Sequence, residues 1–450
     1  MTKAFSLSPA TKTFLLLLIY FFGGVLSWIF VEMCSRNTGF ADFRLFWGVG
    51  DALSRGEVSS IYPRLTDTSF DTTLFNQGVP FLYPPNFAAF SRVFAFFPMV
   101  QAYALTRAFL ACSFLAGGII LYRRARRRHK DENKTPPYAL LFFLPVLLFF
   151  PVQESIGIGQ LSGFLYVLSI SMGLVLLEGK KPMLSGMSFG LLCLKPQPLA
   201  AILFAFLCLS LFDPAMKLLR KRFFVGFFLV ALINLAAALV IFGWTGILEW
   251  AHSVKVWMEF YVWGDRTYFE PYWLICSCPM IIGRLVRSLY PQFFFPALPS
   301  ILTMPGLLIE LVLIYLLSRS KSLDFSRKLE LLLCLVLFSL PVISPYMRVY
   351  DLSVFVIAFW LLFFGSVSNP EKVQGRGDRL VSTVAILFIA IIDLHLVLVP
   401  QQLRTEFQHG NLIVGEPVCF SGSAVVLYIG FVVKGFCVVS AGRNYDDRLQ

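Results

Sequence analysis

Apolar runs about as long as a bilayer is thick recur along the chain, and nothing else in it constrains the fold as much. A helix needs about 20 such residues to cross the hydrocarbon, because every backbone polar group must be satisfied within the segment. The runs lie near residues 13–31, 102–122, 138–152, 158–177, 183–194 with 197–212, 223–242, 297–318, 329–343, 350–366, 381–399 and 421–440. The expectation is an all-α polytopic membrane protein, one integral membrane domain over residues 1–450 built as a bundle of about 10–12 transmembrane helices. Composition agrees: 57% of residues are apolar and 14% charged, against about 45–50% and about 25% in soluble chains. A soluble domain, a disordered chain and a secreted disulfide scaffold are excluded. The first run is long for a signal-peptide core and no small-x-small cleavage site follows it, so it reads as a span.

The net charge of +12 gathers in short clusters: Arg123 to Lys130, Lys217 to Arg222, Arg319 to Lys328, and Lys372 to Arg379. That pattern marks loops on the cytoplasmic side rather than a nucleic-acid-binding face. It places both termini inside, in the cytoplasmic membrane, and leaves residues 32–98 and 243–296 as the two large outer loops. Segment 86–97 is too short to cross and is bracketed by Pro84, Pro85 and Pro98, so it is expected to lie at the interface. Residues 183–212 have basic residues at both ends and must cross twice, with the break at Lys195-Pro196-Gln197-Pro198. Nine cysteines, mostly inside apolar stretches, give no disulfide framework; Cys276 and Cys278 read as ordinary thiols.

This topology puts the polar clusters embedded in apolar sequence on one membrane face. Asp42 opens an amphipathic juxtamembrane helix carrying Phe43, Phe46, Trp47 and Leu53. It reads either as a helix cap or as a general base beside an apolar surface. Lys195 reads as a snorkelling cation or as a holder of phosphate oxygen, and Arg348 as a bidentate phosphate ligand. Tyr83-Pro84-Pro85 is a rigid turn aiming Asn86. Gln160 is a cap or an interhelical hydrogen-bonding group, and Asp351 a cap for the helix after it. Gln197, Tyr346 and Tyr350 lie beside these groups on the same face. Glu310, Asp393 and His395 sit within apolar runs and receive no role; Asp51 is too far along to pair with Asp42 by local spacing.

No P-loop, dinucleotide fingerprint, zinc motif or nucleophile elbow occurs. An enzyme working on the outer face, away from cytoplasmic nucleotides, needs a donor carried by the membrane. At this point the residues resemble a known family. Ala41-Asp42-Phe43-x-x-Phe46-Trp47, Ala52-Leu53-x-x-Gly56, Ile61-Tyr62, Phe81-x-Tyr83-Pro84-Pro85, Gly159-Gln160, Lys195-Pro196-Gln197-Pro198 and Ser344-Pro345-Tyr346 with Tyr350-Asp351 resemble, in order, glycosyltransferase family 87.

The resemblance implies a GT-C type bundle that moves a sugar, typically mannose, from a polyprenyl-phosphate donor to a lipid- or glycan-linked hydroxyl on the outer side. It implies Asp42 as general base and one inversion at the anomeric carbon. Lys195 and Arg348 would hold the departing phosphate, with Tyr83, Asn86, Gln160, Gln197, Tyr346, Tyr350 and Asp351 lining the site. No metal or other cofactor is expected, since cations can hold the phosphate charge and the first loop lacks the paired carboxylates of other GT-C enzymes. The partners implied are membrane lipids, the lipid-linked donor and the acceptor. The second outer loop departs from the family, with Tyr268-Phe269-Glu270-Pro271-Tyr272-Trp273 where an Asn- or Gln-Ser element is common. The competing reading is a transporter or flippase of lipid-linked glycans, which would place polar residues along a path through the membrane.

Overall fold

A computed structural model describes residues 41–62, 81–128, 149–196, 198–256, 298–320, 323–344 and 349–367, with short pieces between 277 and 293 and Met347. The runs near 13–31, 381–399 and 421–440 lie outside the described residues, as do most of 138–152 and Asp393, His395, Glu270 and Cys276. Among the described residues the elements are helical, with no strand.

Helix α1 (Ala41–Ser54) precedes a short α2 (Pro85–Ser91), which runs into the 3₁₀ turn Arg92–Phe96. Pro84 and Pro85 start α2: Pro84 is extended and Pro85 takes the first helical position, where its missing N–H costs nothing. The segment thus stays short, as its flanking prolines require. Then come α3 (Met99–Arg128), α4 (Phe150–Gly157) and α5 (Ser169–Glu178), the last preceded by the π-helical turn Gly163–Leu168. Helices α6 (Pro182–Gly190, with a 3₁₀ turn to Leu194) and α7 (Leu199–Phe212) flank the expected break at Lys195 to Pro198.

Helix α8 (Pro214–Val256) is 43 residues long and kinks at Gly243, whose φ of 65° only glycine takes without strain. This corrects two expectations. Lys217 to Arg222 sit on the first turns of a helix rather than in a loop, and the stretch from Gly243 to Val256, assigned to the second outer loop, is helical. The last described elements are α9 (Leu298–Arg319), α10 (Phe325–Ile343), the 3₁₀ turn Val349–Val354 and α11 (Phe355–Val367). Asp324 caps α10, accepting the Arg327 N–H at 2.7 Å.

Among the described residues three helices are long and apolar enough to cross a membrane: Met99–Arg127, Pro214–Val256 and Ser300–Arg319. Shorter apolar helices at Gly163–Glu178, Pro182–Leu194, Leu199–Phe212 and Asp351–Leu362 pack among them. Helix α10 is the inner element; its side chains from Lys328 to Pro341 are all buried. Helices α6 and α8 touch backbone to backbone, because a Cβ on Gly186 would overlap the Phe223 carbonyl and one on Gly226 the Met183 carbonyl.

Charge sits in two layers. Tyr103, near the start of α3, donates to the Gly157 carbonyl beside the Gly159-Gln160 turn. Arg124, near its other end, is buried between Glu178 and Glu330. At about 1.5 Å per residue the stretch from Tyr103 to Arg124 runs about 32 Å, close to the hydrocarbon thickness of about 30 Å.

Candidate functional site

The first layer is assembled by loops that cannot stray. Gly159 turns the chain at φ 75°, and its α-carbon lies so close to the Phe43 side chain that any Cβ would collide. The Phe43 N–H donates to the Ile158 carbonyl at 3.0 Å. The start of α1 is therefore tied to the residues just before Gln160, which brings Asp42 and Gln160 together across 118 positions of sequence. The Gln160 amide nitrogen donates to Asp42 Oδ2. Asp42 lies in the first turn of α1, inside the helix rather than at its cap.

Tyr83 reaches the same amide from the other side. Its hydroxyl donates to Gln160 Oε1 at 2.9 Å and accepts from Nε2 at 2.8 Å. The Tyr83 backbone is fixed by the Tyr62 hydroxyl, which donates to the Tyr83 carbonyl at 2.7 Å, and by Trp250, whose indole N–H donates to the Leu82 carbonyl at 3.0 Å. Burial pushes the Tyr62 hydroxyl well above the usual phenol range, so it remains a donor. The Phe46 ring meets Tyr83 edge-on at 5.0 Å and Phe87 at 4.9 Å, packing α1 onto α2.

Lys195 enters from the break between α6 and α7. It is 1% exposed. Its ammonium donates to Ser162 Oγ at 3.0 Å and to Gln160 Oε1 at 3.4 Å, and pairs with Asp351 at 2.7 Å. It also lies 5.2 Å from the centre of the Tyr166 ring. A buried ammonium without such partners would cost several kcal/mol. The result is one continuous chain of polar contacts: Asp42, Gln160, Lys195, Asp351.

Several expected site residues take their places here, and others do not. Asp42, Tyr83, Gln160, Lys195 and Asp351 converge. Asp351, expected as a helix cap, instead neutralises Lys195. Asn86 donates to the Cys193 carbonyl at 3.0 Å, so it clamps the turn that carries Lys195. Gln197, Tyr346 and Arg348 lie outside the described residues, and Tyr350 lies in the 3₁₀ turn Val349–Val354. Glu310 is not at this site; it is buried on α9 opposite Ser339 of α10. Ser162 belongs to the polar cluster Gly159-Gln160-Leu161-Ser162 visible in the sequence, and Tyr166 was not singled out. Their spacing of four, on the first turn after Gln160, places both on one helical face, and that was the available signal.

The second layer is ionic. The Arg124 guanidinium bridges Glu178 on α5 and Glu330 on α10, 2.6 Å from the latter, and Ser326 and Arg327 join the cluster. Lys328 pairs with Asp213 at 2.7 Å between α10 and the α7–α8 turn. These charges, expected as loop signals of topology, hold helix ends together.

Fold and site define an all-α membrane protein with a carboxylate, an amide and an ammonium collected at one end of its bundle. The chain belongs to glycosyltransferase family 87, whose family model matches residues 81–345, and it is therefore a membrane glycosyltransferase. The match takes in Tyr83, Gln160 and Lys195 and stops short of Asp42 and Asp351. No curated protein and no solved structure matches the chain.

Proposed function

We propose that this glycosyltransferase takes a sugar, mannose in the first instance, from a polyprenyl-phosphate donor and transfers it with inversion to a hydroxyl on a lipid or glycan acceptor. In this reading the site faces outward from the cytoplasmic membrane and both termini lie inside. The observation that carries it is the Asp42–Gln160–Lys195 chain, which sets a partly buried carboxylate and a buried cation one amide apart. The acceptor O–H gives its proton to Asp42 as its oxygen bonds to the anomeric carbon. The bond from that carbon to the phosphate oxygen breaks, and its electron pair leaves with the lipid phosphate. Positioned cations stabilise the charge that grows there. Lys195 is the proposed near cation and shares its ammonium between Asp351 and the phosphate; Arg348 is the proposed second. Gln197, Tyr346 and Tyr350 are proposed to line the sugar or the acceptor. No cofactor or metal enters this scheme.

The test is transfer itself. Purified protein in nanodiscs receives radiolabelled polyprenyl-phosphate mannose and a membrane lipid extract, with Asp42→Asn alongside. Label moving to a new acceptor with the wild type and not with the variant supports the reading. Donor binding without transfer from mannosyl, glucosyl or arabinosyl donors moves the assignment to a transporter of lipid-linked glycans.

A further inference from the structure

Gln160 stands between a carboxylate and an ammonium, and an amide is the side chain whose two ends suit both. Its oxygen accepts from Lys195 and Tyr83, and its nitrogen donates to Asp42. A flipped amide would set oxygen against carboxylate and NH₂ against ammonium, two repulsions at once. The ions at its two ends therefore fix its orientation. Gln160 is fully buried, with no room to turn away. Its backbone is held as well, its N–H donating to the Ser155 carbonyl at 2.8 Å and its carbonyl accepting from Ser155 Oγ at 3.1 Å.

We propose that Gln160 is the positioning residue of the transfer site: it holds Asp42 by Oδ2 and locks that carboxylate in register with the Lys195–Asp351 pair. This rests on the reading of Asp42 as the base. Among the described residues, Asp42 on α1, Tyr83 before α2, Tyr166 on the π-helical turn and Asp351 on the 3₁₀ turn before α11 meet Gln160 or Lys195. Neither a leucine nor a glutamate can serve. Leucine makes neither contact, and glutamate keeps the contact to Lys195 while turning an acceptor toward Asp42. A misplacement near 1 Å at a reacting group can cost about 100-fold in rate. An interaction made only in the transition state lowers kcat and leaves substrate binding unchanged.

The experiment uses the full chain in nanodiscs of phosphatidylethanolamine and phosphatidylglycerol. Wild-type minus Asp42→Asn infrared spectra isolate the Asp42 carboxylate stretch, and the same difference is taken in the Gln160→Leu and Gln160→Glu backgrounds. The expected result is a displaced Asp42 band in both, with kcat for polyprenyl-phosphate mannose down about 100-fold and donor KM within about twofold. Gln160→Glu preserves volume and covers the case in which Gln160→Leu fails to fold. An unmoved band, or an unchanged kcat, overturns the role of Gln160. Wild-type transfer by Asp42→Asn instead overturns the base assignment, a separate outcome.

Discussion

The two charged layers of this molecule use similar residues to different ends. In the Arg124 layer each charge bridges helix ends, and the guanidinium is enclosed by Glu178 and Glu330. In the Asp42 layer the contacts form a line, from a fully enclosed Lys195–Asp351 pair to a carboxylate only partly buried. The cluster ties helix ends together in the interior, whereas the line runs out to a carboxylate that is only partly buried. Loops, a π-helical turn and a proline break build that line, and whole helices build the cluster. Irregular backbone in a membrane protein is tolerated where it is buried in protein or lines a cavity, and π-helical turns recur at functional sites.

The contrast is broken first at Asp42. Asp42→Asn is expected to fold as the wild type does and to lose transfer by about three orders of magnitude, within the range of about 10²–10⁴ for a general base. Single-turnover rates with polyprenyl-phosphate mannose measure it. Next comes the Arg124 cluster. Arg124→Ala takes away the cation shared by Glu178 and Glu330 and leaves the buried Glu330 with Arg327 alone, so about 3 kcal/mol of stability should go with it, the low end of the cost of breaking a buried pair. Thermal unfolding in detergent reads this loss, while transfer per folded molecule stays near wild type. A large fall in specific activity with no loss of stability would mean that the two layers are not separate in role.

Much of the molecule could be read before it was seen. Apolar periodicity gave helices α3, α7, α9 and α10, and the prolines gave the short α2 and the break at Lys195. Asp42, Tyr83, Gln160 and Lys195 were visible because polar residues inside apolar runs are conspicuous. The pairings were not. Asp351 meets Lys195 across 156 positions of sequence, and nothing local to either residue encodes that contact, so a helix cap was the natural local reading of Asp351. Arg124 was hidden in a basic cluster whose other members explain themselves as topology signal. The turns after Gly243 were assigned to an outer loop because the apolar run stops near Phe242, yet the chain bends at Gly243 and is helical again to Val256.

A smaller effect sharpens the comparison within the site. Lys195→Ala should raise donor KM by about tenfold or more, the equivalent of about 1.4 kcal/mol of lost phosphate attraction. It also strands Asp351 in the interior, so stability falls too. Adding Asp351→Asn removes the stranded charge. Stability should then return while donor KM stays high, and recovery of both would show that Lys195 serves the fold and not the phosphate.

The smallest expected effect is the most discriminating. Lys328–Asp213 and Lys195–Asp351 are both buried ammonium–carboxylate pairs at 2.7 Å, and geometry alone does not tell them apart. Replacing a whole buried pair with apolar residues of similar volume is often neutral or stabilising, because two desolvation costs vanish with one attraction. Lys328→Met with Asp213→Leu should therefore change the thermal midpoint little and leave transfer intact. Lys195→Met with Asp351→Leu should be as mild for stability, yet donor KM should rise about tenfold or more as for Lys195→Ala, since no cation then meets the departing phosphate from that turn. If both double variants kept full transfer, the Lys195 pair would be structural like its counterpart, and the phosphate would have to be held from elsewhere, with Arg348 the remaining candidate in the sequence.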